Sequence, residues 1–109
     1  MLDRSRMLRE YRTDVPGMFV CVEVAYAKSI YYGPRGYWLH IYQCEAKGSM
    51  RIIPLGKGSR RLIATAGRLT KKGMDDAAWT AEGLLMRDDP EIRKQIAEYG
   101  NIRVEEVMA

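Results

Sequence analysis

The sequence predicts a single α+β domain, in which two C-terminal helices pack on one face of a four-stranded, mainly antiparallel sheet. Between residues 18 and 66, β-branched and aromatic runs alternate with short glycine-containing turns, the pattern of a strand meander. From residue 70 onward, apolar residues recur at intervals of three and four, which is the spacing of an amphipathic helix. A chain of 109 residues can bury one modest core, so one domain is expected.

Residues 3–12 precede the predicted sheet and contain four arginines. Asp3 can cap a helix at this point, and Met7, Leu8 and Tyr11 share one face at helical spacing. An isolated helix of this length is only marginally stable in water. The segment is therefore expected to be either a short helix or a flexible basic arm.

Four segments are predicted to be strands. Residues 18–27 are apolar on both faces, which indicates a central strand covered on each side. Residues 37–45 form the next strand after a loop. Residues 50–55 and 60–66 follow as the third and fourth strands, because the glycines of residues 56–59 favour a tight turn between them.

Two helices are predicted after the sheet. Residues 70–86 carry one stripe of small and aliphatic side chains, which suits close packing on a sheet. Asp89 can cap a second helix over residues 90–99, and Pro90 fits its first position. Residues 101–108 are expected to be either a third helix or a closing edge strand.

The sequence indicates a cytoplasmic protein that does not enter a membrane. No apolar run approaches the roughly 20 residues that a membrane-spanning helix needs. Residues 1–12 lack the apolar segment of a secretory signal. Cys21 and Cys44 lie in apolar, strand-like runs, and in a reducing compartment they are expected to be buried thiols without a disulfide.

Charge is segregated along the chain. Residues 28–72 hold ten Lys and Arg against one acid, whereas residues 73–109 hold four basic and nine acidic side chains. The basic block overlaps an aromatic cluster, since six of the ten aromatic residues lie between Tyr26 and Tyr42. This combination favours an anionic, stackable partner, either nucleic acid or a protein that handles it.

Alternation along residues 37–45 separates two faces of that strand. Leu39 lies on one face, while Trp38, His40 and Tyr42 lie on the other. If the helices cover the Leu39 face, the other face presents an aromatic ladder on which bases can stack. The predicted contacts combine these aromatics with loop tyrosines and nearby cations: Tyr31, Tyr32, Arg35, Trp38, Tyr42, Lys57, Arg60 and Arg61.

No catalytic residue, metal ligand or cofactor site is predicted. His40 and Cys44 are four residues apart on one strand, hence about 13 Å apart, too far to share one zinc ion. The single histidine of the chain has no nucleophile placed beside it by the sequence. A non-enzymatic binding protein is therefore the leading interpretation.

One enzyme alternative is a magnesium-dependent nuclease. Glu45, Ala46 and Lys47 resemble the E-x-K half of the PD-(D/E)xK nuclease motif, and Asp14 precedes an earlier strand. The resemblance covers only these positions. It implies Mg²⁺ held between the two carboxylates, with the lysine assisting the attacking water.

A second alternative is a protein inhibitor or adaptor that captures its partner through the acidic helical half. In its short length and segregated charge the chain looks like anti-CRISPR and other inhibitors from mobile genetic elements. The acids concerned are Asp75, Asp76, Glu82 and Glu91. Acids on the solvated faces of two helices are also an ordinary surface pattern. The two sheet edges and the oppositely charged halves are, in addition, compatible with a homodimer.

Overall fold

The chain folds into one antiparallel sheet followed by two helices, and the predicted α+β class is confirmed. The structure is a computed structural model that describes residues 2–27, 33–47, 51–87, 89–102 and 107. The strands are β1 (Ser5–Arg12), β2 (Met18–Ala27), β3 (Gly36–Lys47) and β4 (Arg51–Thr65), and the helices are α1 (Lys71–Met86) and α2 (Pro90–Gly100). The strands lie side by side in chain order, and each pairs antiparallel with the next.

Both expectations for residues 3–12, a short helix or a flexible arm, are wrong, because this segment contains strand β1, paired along the edge of β2. A register shift between Met7 and Arg9 inserts Leu8 as an extra residue. Leu8 and Tyr11 therefore pack against the same core although they are three residues apart. A bulged strand thus has the same apolar spacing as a helix. Its backbone N–H and C=O groups form their hydrogen bonds with β2, whereas in a helix they would bond within the segment.

The turn expected at residues 56–59 is also wrong, because β4 runs through it. Tyr42 pairs with Gly58 and Cys44 with Pro54, so β4 contributes extra residues at this point. A Cβ atom at Gly58 would lie 3.0 Å from the carbonyl oxygen of Ile41 and 3.0 Å from the Cβ of Tyr42. Glycine at this point allows a bulge in which the backbones approach closely. Bulges and turns are both rich in glycine, so composition alone does not distinguish them.

Both predicted helices are confirmed, and so is Asp89 as the cap of the second one. Thr70 precedes α1, and its Oγ1 accepts a 2.9 Å hydrogen bond from the N–H of Gly73. Asp89 precedes α2 and accepts from the N–H groups of Glu91 and Ile92. Most of residues 101–108 lie outside the described residues. The prediction of a helix or an edge strand over 101–108 therefore stays a prediction.

The core lies between the helices and one face of the sheet. The sheet side is built from alternate residues of β2 and β3, and the helix side from the small and aliphatic stripes. The buried members are Val20, Val22, Val24, Tyr26, Tyr37, Leu39, Ile41, Met74, Ala77, Ala81, Ile92, Ile96, Ala97 and Val107. Burying each of the larger aliphatic side chains stabilises the fold by about 1.5–3 kcal/mol. No described helix combines the length and apolar character needed to cross a bilayer.

Cys21 and Cys44 form a disulfide, so the expectation of two reduced thiols is wrong. Cys21 pairs with Tyr42 and Cys44 pairs with Phe19, which makes the two cysteines diagonal neighbours on one face of the sheet. Their Cα atoms are 6.7 Å apart, and both residues are fully buried. The two cysteines are 23 positions apart, and their contact depends on the register between β2 and β3, which the sequence alone does not reveal.

Candidate functional site

The candidate site is the sheet face that points away from α1 and α2, called the open face below. Strand register assigns its members in four rows across the sheet. From β1 to β4 these rows are Ser5, Ala25, Trp38 and Leu62; Met7, Glu23, His40 and Arg60; Glu10, Cys21, Tyr42 and Gly58; and Arg12, Phe19, Cys44 and Pro54. Both helices pack on the opposite face, as the burial of Leu39 to 1% exposure shows.

The predicted aromatic ladder is therefore only partly accessible. Trp38 and His40 are partly exposed, but Tyr42 retains only 8% of its surface and packs with the Cys21–Cys44 disulfide. Tyr42 is thus a supporting residue beneath the surface. The accessible stacking groups of the ladder are the rings of Trp38 and His40.

The indole of Trp38 lies against Gly33, three residues before β3 begins. A Cβ atom at Gly33 would lie 2.9 Å from Cη2 of Trp38, and Gly33 has a φ of +126°. Only glycine combines that backbone conformation with that contact at little cost. The indole N–H of Trp38 is buried and meets no hydrogen-bond acceptor among the described residues.

Glu23 links the two rings that follow Trp38 along the strand. Its Oε1 lies 3.3 Å from Nδ1 of His40, and its Oε2 accepts a 3.3 Å hydrogen bond from the hydroxyl of Tyr42. The ring centroids of His40 and Tyr42 are 4.5 Å apart. The carboxylate orients the imidazole, with Nδ1 toward Glu23 on the neighbouring strand and Nε2 3.4 Å from where a Cβ atom at Gly58 would lie.

The environment of Tyr42 predicts late ionisation of its hydroxyl. Burial raises the pKa of Tyr42 from 10.0 to about 12, and the charge of Glu23, its hydrogen bond and Glu10 act in the same direction. Because the pKa is higher in the folded protein, this contribution to stability is complete below pH 10 and disappears as the pH rises through about 12. In a tyrosinate absorbance titration, the difference between wild type and Tyr42→Phe should titrate near 12. A difference curve centred near 10 would contradict the buried, Glu23-bonded placement.

The predicted basic contacts separate into two groups. Arg60 is exposed on the open face, directly across from His40, and Arg35 is exposed just before β3. Arg61 lies on the opposite face, where its guanidinium contacts Asp89 and Glu91 at 3.1 and 3.2 Å. Arg61 is therefore not part of the open face. Outside what the structure describes are Tyr31, Tyr32 and the side chain of Lys57.

Glu23, Arg12 and Leu62 lie on the open face but are not among the predicted contacts. The sequence predicts a helix or arm at Arg12, whereas strand pairing sets it opposite Phe19 on this face. Leu62 lies opposite Trp38 and extends the apolar surface beside the indole. The alternation of residues 5–12 is the signal that could have placed Arg12, but the bulge at Leu8 disguises it.

Sheet arginines and helix acids neutralise each other on the covered side of the molecule. Arg9 donates to both carboxylate oxygens of Glu82, at 2.8 and 2.6 Å, and Arg6 donates to Asp75 at 2.7 Å. The hydrogen bond from Arg6 lowers the pKa of Asp75, and that from Arg61 lowers the pKa of Asp89. Part of the charge segregation in the sequence therefore reflects ion pairs between basic residues of the sheet and acidic residues of the helices.

The parts of the nuclease alternative are not assembled into a metal site in the described residues. The side-chain amide of Asn101 donates a 2.9 Å hydrogen bond to Asp14, and Glu45 pairs with Met18 near the end of β3. Among the described residues, no group of three or more His, Cys, Asp or Glu side chains is placed to hold a metal ion. The side chain of Lys47 lies outside the described residues.

The grooves that the described residues line are small. A groove between β4 and α2, lined by Ser59, Arg61 and Gln95, measures about 240 Å³. Sites for small organic ligands usually measure about 300–1,000 Å³. Comparisons with known proteins find no matching family model, curated sequence or solved structure.

Proposed function

We propose that this protein is a non-enzymatic binding protein that holds single-stranded nucleic acid on its open face. The observation that carries the proposal is the placement of both helices on one side of the sheet. This leaves Trp38, His40 and Arg60 side by side on the other side. Aromatic platforms next to cations are the usual means of binding single strands without reading their sequence.

The two rings are suitably placed for successive bases. Trp38 and His40 are two residues apart on β3, so they stand about 7 Å apart along the strand. Each base that stacks on an aromatic ring contributes about 1–3 kcal/mol. Leu62, beside Trp38, supplies apolar surface for the edge of a base.

Two cations of the open face lie in different rows of the sheet, Arg60 beside His40 and Arg12 opposite Phe19. Arg35 is exposed just before β3, at the other end of the sheet from Arg12. Glu10 and Glu23 share the face, and Glu23 is engaged by His40 and Tyr42. We therefore expect about two to three phosphate contacts and a moderate salt dependence.

The stacking role is tested with the two tryptophans of the chain. Fluorescence anisotropy of a labelled oligonucleotide of about eight nucleotides, a length that one such face can hold, measures the affinity. Trp38→Ala should weaken binding about tenfold or more, because a stacked base is lost. Trp79→Ala is the matched control, since Trp79 lies on α1 and is 82% exposed there. Equal effects of the two substitutions would contradict the proposal.

Adjacent arginines on opposite faces test the phosphate role. Arg60→Ala should weaken binding and reduce the slope of log affinity against log salt by about 0.7, the share of one phosphate contact on a single strand. Arg61→Ala should leave affinity and slope unchanged, because Arg61 pairs with Asp89 and Glu91. Absence of binding at low salt would overturn the nucleic-acid assignment, and pull-downs would then test the open face as a contact for a nucleic-acid-handling protein.

The inhibitor alternative has weaker support. Asp75, Glu82 and Glu91 face arginines of the sheet, and Asp76 lies 3.4 Å from Lys72 on its own helix. A partner that used these acids would have to compete with ion pairs already formed. The open face requires no such exchange at Trp38.

A further inference from the structure

Among the large apolar side chains of the described residues, the two most exposed lie on the outer face of α1. Trp79 is 82% exposed and Met86 is 76% exposed. They are seven residues apart, so they project from the same side of the helix, with Gly83 between them. This group is called the Trp79 patch: Trp79, Gly83 and Met86.

Gly83 makes a notch at the centre of the patch. A Cβ atom built there would have only Nη2 of Arg87 within 4.0 Å, so the space above the helix backbone is open. Tryptophan and arginine are the residue types that most often anchor protein interfaces. The stripe that packs α1 onto the sheet uses Met74, Ala77 and Ala81. Trp79 and Met86 are therefore not part of the stripe that packs α1 in the described residues.

We propose that the Trp79 patch is a self-association surface, on which α1 packs antiparallel against α1 of a second copy. A two-fold axis near Gly83 would bring Trp79 of each copy over Met86 of the other. The notch at Gly83 lets the two backbones approach closely, and the thioether of Met86 is a favourable neighbour for an indole. The surface is then self-complementary, as a two-fold interface must be.

Charges beside the patch also complement each other in this arrangement. Asp76 precedes Trp79 by one turn, and Arg87 follows Met86 on the same side of the helix as Asp76. In an antiparallel pair, each Asp76 comes within reach of the other copy's Arg87. Within the described residues, Asp76 pairs with Lys72 at 3.4 Å, where both side chains are well exposed, and Arg87 forms no ion pair. A parallel pair would instead set like charges against each other.

The arrangement has a consequence for the shape of the assembly. The Trp79 patch lies on the outer side of the helix layer, whereas the open face lies on the far side of the sheet. A dimer through α1 therefore stacks sheet, helices, helices and sheet, and its two open faces point away from each other. Self-association does not depend on what the open face binds, so its test needs no nucleic acid.

The association is measured by sedimentation velocity of the full chain between about 1 µM and 1 mM, a range that covers weak to moderate dimers. We expect a concentration-dependent dimer whose dissociation constant rises about tenfold or more in Trp79→Ala. Gly83→Gln should block close approach while helix content rises, because glutamine is a better helix former than glycine. Met7→Ala, an exposed apolar residue on the open face, is the control and should leave the dimer intact.

Charge reversal distinguishes a symmetric pair from any other association. Asp76→Arg and Arg87→Asp should each weaken the dimer, and the double variant Asp76→Arg/Arg87→Asp should restore it. A wild-type chain that stays monomeric throughout would overturn the proposal. A dimer that is indifferent to Trp79→Ala and Gly83→Gln would overturn it as well, since the contact would then lie elsewhere. Circular dichroism of each variant confirms that the fold is retained.

Discussion

Replacing Gly73 by alanine should lower the free energy of unfolding by about 2 kcal/mol, although alanine is the better helix former by about 1 kcal/mol. A Cβ atom at Gly73 would collide with the phenol oxygen of Tyr37 and would lie 2.7 Å from its Cζ and 2.9 Å from Oγ1 of Thr70. Tyr37 cannot easily yield, because it is 2% exposed and packs against the ring of Tyr26.

The collision also reaches the start of α1. The hydroxyl of Tyr37 accepts a 3.0 Å hydrogen bond from the N–H of Thr70 and donates to its carbonyl oxygen at 3.3 Å. Thr70 in turn caps the helix through the N–H of Gly73. A displaced Tyr37 therefore weakens a cap that is typically worth about 1 kcal/mol.

The control is the same substitution at Gly83, which lies farther along α1. Gly83→Ala should raise the free energy of unfolding by about 0.5–1 kcal/mol, because its Cβ atom enters open space. Urea denaturation of both variants at low protein concentration gives the comparison. If Gly73→Ala stabilises the protein as much as Gly83→Ala does, the close packing of Tyr37 on α1 is refuted.

Reduction of the Cys21–Cys44 disulfide should lower the free energy of unfolding by about 3 kcal/mol. The bond closes a loop between residues 23 positions apart, and in the chain-entropy description a loop of this size is worth roughly that amount. The bond also lies under the candidate site, since Tyr42 packs on it. Loss of the bond should therefore loosen the pairing of β2 with β3 beneath His40.

Urea denaturation with and without a reductant measures this effect. The double variant Cys21→Ala/Cys44→Ala is the control, and its stability should not respond to the reductant. Intact mass of the purified protein should be lower by two hydrogens than that of the reduced chain. Two titratable thiols in freshly unfolded protein, with no effect of reductant on stability, would restore the expectation of reduced cysteines.

The ion pairs between sheet and helices are minor contributors by comparison. Arg9 and Glu82 form a bidentate pair, which is the favourable geometry, but their side chains are 42% and 32% exposed. Exposed pairs contribute about 0–1 kcal/mol because solvent screens them. Their main effect is orientation, since they align β1 with α1 and leave fewer charges free on the covered side.

Local signals in the sequence determined the helices and the two central strands. Asp89 and Pro90 mark a helix start through their own backbone and side-chain chemistry, whatever the rest of the chain does. Residues 18–27 form β2 with the predicted bounds, because β-branched and aromatic side chains favour the extended backbone. The alternation of β3 also predicted correctly that Leu39 and Trp38 face opposite sides.

Only the tertiary structure decided the features that depend on pairing between distant residues. The bulge at Leu8 makes a strand resemble a helix, and the glycines of β4 make a bulge resemble a turn, because composition does not reveal the partner strand. Register brought Cys21 to Cys44, buried Tyr42 and separated Arg60 from Arg61. A side chain's role on a sheet depends on which face a neighbouring element covers, and that is fixed by the packing of the whole chain.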